Sequence, residues 1–154
     1  MKEFKCLSFN VKGIQNNLKR AQIFNFSKEK IKNYGVVLLQ ETHSCNKDIM
    51  RWKNEWGDDI YLNHGTSNSR GTLIAFSKEF DKKVLKYIDD KNGRIQILTF
   101  EHEKKKFMIV NVYNNNIETQ QLETLKKLDT LLGNFGDIND YSIVMGGGLE
   151  LYIG

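Results

Sequence analysis

Glu41 is the residue in this sequence best placed to do chemistry. It follows the apolar run Val36 to Leu39 in "VVLLQETHS", just past the end of a short predicted strand. A lone carboxylate beside an amide is a hard oxygen site of the kind that suits Mg²⁺ or Mn²⁺, which keep most of their waters. A cation held this way polarises a phosphate and neutralises developing charge. Other polar residues occupy equivalent positions. Asn10 ends "CLSFN", Tyr113 ends "MIVNVY", and "YSIVM" runs into Gly146, Gly147 and Gly148. Functional groups of open α/β sheets collect at the carboxyl ends of strands. If these strands lie side by side, Asn10, Glu41, Tyr113 and the glycine turn meet on one rim. Tyr113 could hydrogen-bond a phosphate oxygen there, and His43 would point to the same side if its strand continued.

Each of these residues also has a plainer reading. Glu41 could be a solvated edge charge, and Tyr113 a core residue with a wet hydroxyl. Arg70, before Gly71 in "SNSRGTLIAF", is either a turn residue or a substrate-phosphate contact. His64 and His102 show no partner at ligand spacing and read as structural or surface residues.

The elements that would position this set are legible from periodicity. With 154 residues the chain suits one domain and can bury a core without disulfides. The net charge of +4 and pI near 9.0 are compatible with nucleic acid, although the basic residues are scattered. Their one dense cluster, Lys104 to Lys106, reads as a charged hairpin turn. No apolar run approaches the ~18 residues needed to cross a bilayer, so no membrane is expected. The N-terminus reads as a strand and not as a signal peptide. Cys6 and Cys45 lack metal-ligand spacing and read as reduced thiols of an intracellular protein, nuclear or cytoplasmic.

Residues 3–11 predict a strand covered on both faces. A helix is expected over 15–35, with Leu18, Ala21, Phe24 and Ile31 on its buried face, then the strand 36–40 and a short helix over 46–56. Period two then predicts strands at 59–65, 71–77, 82–88, 94–101 and 106–113, with Asn92-Gly93 as a hairpin signal. An amphipathic helix over 119–136 presents Leu122, Leu125, Leu128, Leu132 and Phe135, and "YSIVMGGG" is the last strand. The order implies an α/β or α+β fold with a mixed sheet.

Six segments, "LSFNVKGI", "LLQETHS", "NSRGTLIAFSKEF", "GRIQIL", "NVYNNN" and "SIVMGGG", resemble the endonuclease/exonuclease/phosphatase superfamily in order and spacing. The "QETH" and "SRG…IAFSK" forms are most similar to endonuclease domains of non-LTR (LINE-type) retrotransposons, which accompany reverse transcriptase, and to related apurinic/apyrimidinic endonucleases. The resemblance implies a four-layer α/β sandwich, here its first half to two-thirds, as one incomplete domain over 1–154. It implies Mg²⁺-dependent (or Mn²⁺-dependent) hydrolysis of a phosphodiester, with DNA as partner. By position, Glu41 would be the metal ligand, Asn10 would sit in the phosphate and metal shell, and Tyr113 would contact the scissile phosphate.

Two positions depart from the family's pattern. Gly148 stands where the family has an Asp that orients or activates water, and Glu150 stands where it has an amide. The family's second half, with a further Asp and a Ser-Asp-His type motif, is not in this sequence. Weak or absent catalysis is therefore expected, along with self-association through an uncovered sheet. Two other readings stay open: a non-catalytic module binding nucleic acid or a partner, and another phosphoesterase of the superfamily.

Overall fold

Alternation along each strand decides which layer each side chain joins. The protein is described here from a computed structural model covering residues 4–114 and 117–147. Its elements are β1 (Lys5–Asn10), α1 (Asn17–Ile31), β2 (Gly35–Gln40), α2 (Ile49–Trp56), β3 (Ile60–Asn63), β4 (Thr72–Phe76), β5 (Lys83–Asp89), β6 (Ile95–His102), β7 (Lys105–Val112), α3 (Glu118–Leu132) and β8 (Ser142–Gly147). They form two four-stranded sheets, in the orders β1-β2-β4-β3 and β5-β6-β7-β8. The crossover pairs β1–β2 and β7–β8 are parallel, and the other neighbours are antiparallel. Val36, Leu38, Ile74, Phe76, Leu98, Phe100 and Ile109 meet between the sheets. The alternate residues Val37, Leu39, Leu73 and Ala75 face Phe24, Ile31, Trp52 and Trp56 of α1 and α2. Ile97, Met108, Val110 and Val112 face Leu128 and Phe135 on and just after α3. Helix, sheet, sheet and helix make the four layers that the resemblance implied. Among the described residues, no helix is long and apolar enough to cross a membrane.

The sequence-based expectations need four corrections. The strands that carry Asn10 and Tyr113 are not side by side, because β1 and β2 belong to one sheet and β7 and β8 to the other. Partner choice, which the sequence left open, places β4, buried along its whole length, beside β2 and the half-buried β3 at the edge. β1 is not covered on both faces. It is an edge strand with mostly exposed residues, and β8 is the corresponding edge of the second sheet. The buried face of α1 is Arg20, Phe24, Ser27 and Ile31, while Leu18 is exposed. Arg20 can be buried because Glu55, Asn17 and the carbonyls of Ile14 and Gln15 accept its guanidinium hydrogens. On α3, likewise, Thr124 and Leu128 turn inward and Leu122 faces out.

Both hairpin expectations hold. Glu103 and Lys104 form the charged turn in the left-handed region, at φ 51° and 65°, which matches the twist of a two-residue hairpin. Asn92-Gly93 lies in a longer loop organised by Asp90, whose Oδ1 accepts from the backbone N–H groups of Asn92, Arg94 and Ile95.

The inter-sheet core is apolar at one end and polar at the other. Asn111, fully buried, donates from Nδ2 to the carbonyls of Leu39 (3.1 Å) and Leu73 (3.0 Å) in the opposite sheet and to Gln96 Oε1 (3.1 Å) beside it. Its Oδ1 accepts from Gln40 Nε2 at 2.8 Å. Gln96 continues the junction by donating to the Tyr61 carbonyl and the Tyr87 hydroxyl. Asn111→Ala orphans buried groups on both sheets. It should cost about 2–4 kcal/mol of unfolding free energy by urea denaturation, since each unsatisfied buried group costs about 1–3 kcal/mol. A loss under about 1 kcal/mol would mean the junction is dispensable.

Candidate active site

Rows of inward-facing residues run out of the inter-sheet core and turn polar at one end. Phe76, Ile74 and Thr72 of β4 lead toward Arg70, two residues before the strand, and Phe100, Leu98 and Gln96 of β6 lead to Arg94, just before it. Phe107, Ile109 and Asn111 lead to Tyr113 in β7, and Phe4 and Ser8 lead to Asn10 in β1. The rim where these rows end contains Asn10, Arg70, Arg94 and Tyr113. β8 can come this close to the first sheet because Gly146 has no side chain: a Cβ there would lie 2.6 Å from Ser8 Oγ and from Leu38 Cδ1. Gly146 and Gly147 are the last residues of β8, paired with Asn111 and Val112, so they are strand residues and not the turn expected from sequence.

Glu41 departs from the alternation. Gln40 already occupies the inward position of β2, so a continuing strand would turn Glu41 toward the helices. A left-handed φ of 56° breaks the strand and returns the carboxylate to the rim. Lys12, His43 and Arg70 are also left-handed, at φ 52°, 60° and 59°. Non-glycine residues in this region cost on the order of 1–3 kcal/mol each, and such strain gathers at functional sites. Hydrogen bonds on both flanks hold the segment. Gly13 N–H donates to the Glu41 carbonyl (2.6 Å), Ile14 N–H to Thr42 (3.1 Å), and the N–H groups of Thr42 and His43 donate to Gly71 (3.1 Å) and Arg70 (2.8 Å). Gln15 Nε2 donates to the His43 carbonyl at 2.8 Å. Gly13 is required here, at φ 85°, because a Cβ would lie 2.5 Å from His43 Nδ1.

The Glu41 carboxylate is held from both sheets. Asn10 donates from Nδ2 to Oε1 at 3.2 Å, and the Tyr113 hydroxyl approaches the carboxylate from the second sheet closely enough for its pKa to respond to it. His43 Nε2 lies 3.8 Å from Oε2. Burial lowers the His43 pKa from its ordinary 6.5, with Glu41 opposing and Lys19 assisting, so near neutral pH this is a polar contact between a neutral imidazole and a carboxylate, and not an ion pair. Burial, then the hydrogen bond and charge of Glu41, raise the Tyr113 hydroxyl above its ordinary 10.0, while Arg94 and Arg70 pull it back. Tyr113 is therefore a neutral donor over the whole working range.

The residues singled out in the sequence fall into three groups. Asn10, Glu41, His43, Arg70 and Tyr113 share the rim. Gly148 and Glu150 lie outside the described residues. His64 and His102 are tied elsewhere, His64 Nδ1 to Ser44 Oγ at 3.1 Å and His102 Nδ1 to the Asp81 carbonyl at 2.6 Å, with the latter ring stacked on Phe80. Sequence reading passed over Arg94 and the Gln40–Asn111–Gln96 junction. The signal for both was period two, followed past the apolar part of each strand.

The donor set fits a hydrated hard cation. Glu41 supplies a carboxylate flanked by neutral polar groups, and Mg²⁺ needs only one or two carboxylates among its waters. Asn10 Oδ1 accepts from Lys12 N–H at 2.9 Å, which fixes the amide with its nitrogen toward Glu41. In this geometry Asn10 orients the carboxylate and does not add an oxygen beside it. Three buried polar atoms near Tyr113, namely Arg70 Nε, Arg94 Nε and Asn114 Oδ1, have no hydrogen-bond partner among the described residues.

No family model matches the chain. Solved structures do. D. rerio TDP2 complexed with single-strand DNA product matches at TM-score 0.62 and 19% identity, over 92% of this chain and 58% of that one. The endonuclease domain of TRAS1, a telomere-specific non-LTR retrotransposon, matches at TM-score 0.55 and 14% identity, over 92% and 58%. An endonuclease/exonuclease/phosphatase family protein from Bacteroides thetaiotaomicron matches at TM-score 0.66 and 8% identity, over 92% and 62%. The chain thus spans about 60% of the length of these proteins and has the endonuclease/exonuclease/phosphatase fold.

The Tyr113–Glu41 contact has a pH signature. With its folded pKa raised, Tyr113 contributes stability that is fully present below the ordinary 10.0 and is lost as pH rises through the folded value. In chain carrying ζ-carbon-labelled tyrosine, the Tyr113 resonance should titrate above that of an exposed tyrosine, and Glu41→Gln should move it down. An unchanged titration in that variant would mean the two side chains do not meet in solution.

Proposed function

We propose that this rim is the metal-dependent phosphodiester site of a DNA endonuclease of the retrotransposon type. The observation that carries the reading is the Glu41 carboxylate, held by Asn10 from one sheet with the Tyr113 hydroxyl brought to it from the other. Glu41 would hold Mg²⁺ or Mn²⁺, which polarises a phosphate when bound. Asn10 keeps the carboxylate in register, and the neutral Tyr113 hydroxyl would turn from Glu41 to donate to a phosphate oxygen. Arg70 offers the same anion an Nε that has no partner among the described residues. His43, neutral near pH 7, supports the carboxylate without neutralising it. Structural neighbours that process DNA, including one bound to a single-strand product, favour nucleic acid over phospholipid or inositol phosphate.

Turnover should be weak. Gly148 has no side chain to activate water where the resemblance places an Asp, and Glu150 puts a negative charge where it places an amide. Losing a positioned general base costs about 10²–10⁴-fold. The purified chain should bind Mn²⁺ in water-proton relaxation measurements, and Glu41→Ala should weaken that binding by at least roughly tenfold, as loss of a lone carboxylate ligand from a Mg²⁺-type site implies. Plasmid nicking should not exceed that of the same variant. Equal Mn²⁺ affinity in Glu41→Ala would remove the metal site, and Glu41-dependent nicking would overturn the weak-turnover part alone.

Self-association belongs to the same proposal. The edge strand β8 exposes Ile143 (45%) and Met145 (36%), and open edges template pairing. Sedimentation should show a concentration-dependent dimer that Ile143→Lys abolishes. A monomer at all concentrations would rule it out.

A further inference from the structure

We infer that Arg94 is a phosphate contact of this site, binding a backbone phosphate oxygen of nucleic acid through its free Nε. The inference rests on reading the rim as a phosphodiester site. Tyr113 N–H donates to the Arg94 carbonyl at 2.7 Å, one step beyond the Ile95–Val112 pair, so the two residues are cross-strand neighbours with side chains on the same inward face. That face leads through Gln96 and Asn111 to the core on one side and through Tyr113 to Glu41 on the other. The Arg94 charge is felt at the Tyr113 hydroxyl, together with that of Arg70.

The guanidinium is permanently charged, and its planar donor edge matches phosphate geometry. Nη2 is held from behind by the neutral Gln120 Oε1 at 3.3 Å, which orients the group without neutralising it. Nε is buried and has no acceptor among the described residues. A buried charged donor without an acceptor is costly, and an absent ligand is one of the few accounts of it. Arg70 Nε likewise has no acceptor among the described residues. Two cations whose charges both reach the Tyr113 hydroxyl, each with an Nε lacking an acceptor among the described residues, suit a single anion with several oxygens. Arg94 also lines a cleft of about 210 Å³ between the β5–β6 loop and α3, shared with Lys127, Thr124 and Asn92 and with the carboxylates of Asp90 and Glu123.

The test is binding of a short fluorescein-labelled DNA single strand to the full chain in EDTA, over a series of salt concentrations. Each phosphate contact on a single strand contributes about 0.7 to the slope of log affinity against log salt. Arg94→Gln should weaken binding to all sequences alike and flatten the slope by about that amount, whereas Arg94→Lys keeps the slope. Lys104→Gln, in the turn at the far end of β7, should leave both unchanged. In wild-type chain with nitrogen-labelled arginine, inorganic phosphate should shift the Arg94 Nε signal, which needs no variant to fold. An unchanged slope in folded Arg94→Gln, an unmoved Nε signal, or no DNA binding by the wild-type chain would each overturn the assignment. EDTA separates it from the metal reading, because Glu41 could fail as a ligand while the Arg94 contact persists, and the reverse.

Discussion

A single buried amide sets how the two halves of the rim meet. Asn111 uses all of its side-chain polar atoms to join the sheets, donating to Leu39, Leu73 and Gln96 and accepting from Gln40. Gln40 is the residue before Glu41, and Asn111 lies two before Tyr113. The approach of carboxylate and hydroxyl is therefore set by a bond between residues one and two positions before them in the chain. Apolar packing alone would let two sheets slide, because dispersion and burial have no direction. A fully satisfied polar junction fixes one alignment. Its cost is low here because every group has a partner, and the apolar rows behind it supply the burial.

The other constraint on the rim is local strain. Glu41 and His43 stay left-handed because the β1–α1 loop grips them on one side and the Arg70–Gly71 segment on the other. The loop is in turn fixed by Arg20, whose buried guanidinium holds the Ile14 and Gln15 carbonyls and is itself held by Glu55 of α2. Gly71 N–H donates to the Gly93 carbonyl at 2.9 Å, so the β5–β6 loop of the second sheet braces the same segment. The carboxylate is aimed through contacts from several separate pieces of chain.

Most of the fold was legible because it depends on period. Every strand and helix appeared in the pattern, and the hairpins followed from Asn92-Gly93 and the lysine turn. What period cannot give is partner choice. Nothing local says that β4, and not β3, pairs with β2, or that the chain changes sheets before β5. Helix faces were misread where a polar residue is buried. A hydrophobicity pattern assigns Arg20 to solvent and Leu18 to the core, and a network of acceptors that no pattern registers reverses both. At the site, Asn10, Glu41 and Tyr113 were visible as polar ends of apolar strands. Arg94 was passed over although it opens the strand read at 94–101, because period two was not followed to its first inward position, before Gln96, Leu98 and Phe100.

The account depends on Glu41, Asn10 and Tyr113 forming one ion-binding centre that spans both sheets. The most direct measurement is the pattern of paramagnetic broadening as Mn²⁺ is added to chain carrying labelled tyrosine and asparagine side chains. The account predicts that the Tyr113 ring and the Asn10 amide broaden first and together, and that Glu41→Ala abolishes both effects. Broadening that leaves Tyr113 sharp, or that survives in Glu41→Ala, would place the ion elsewhere and contradict it.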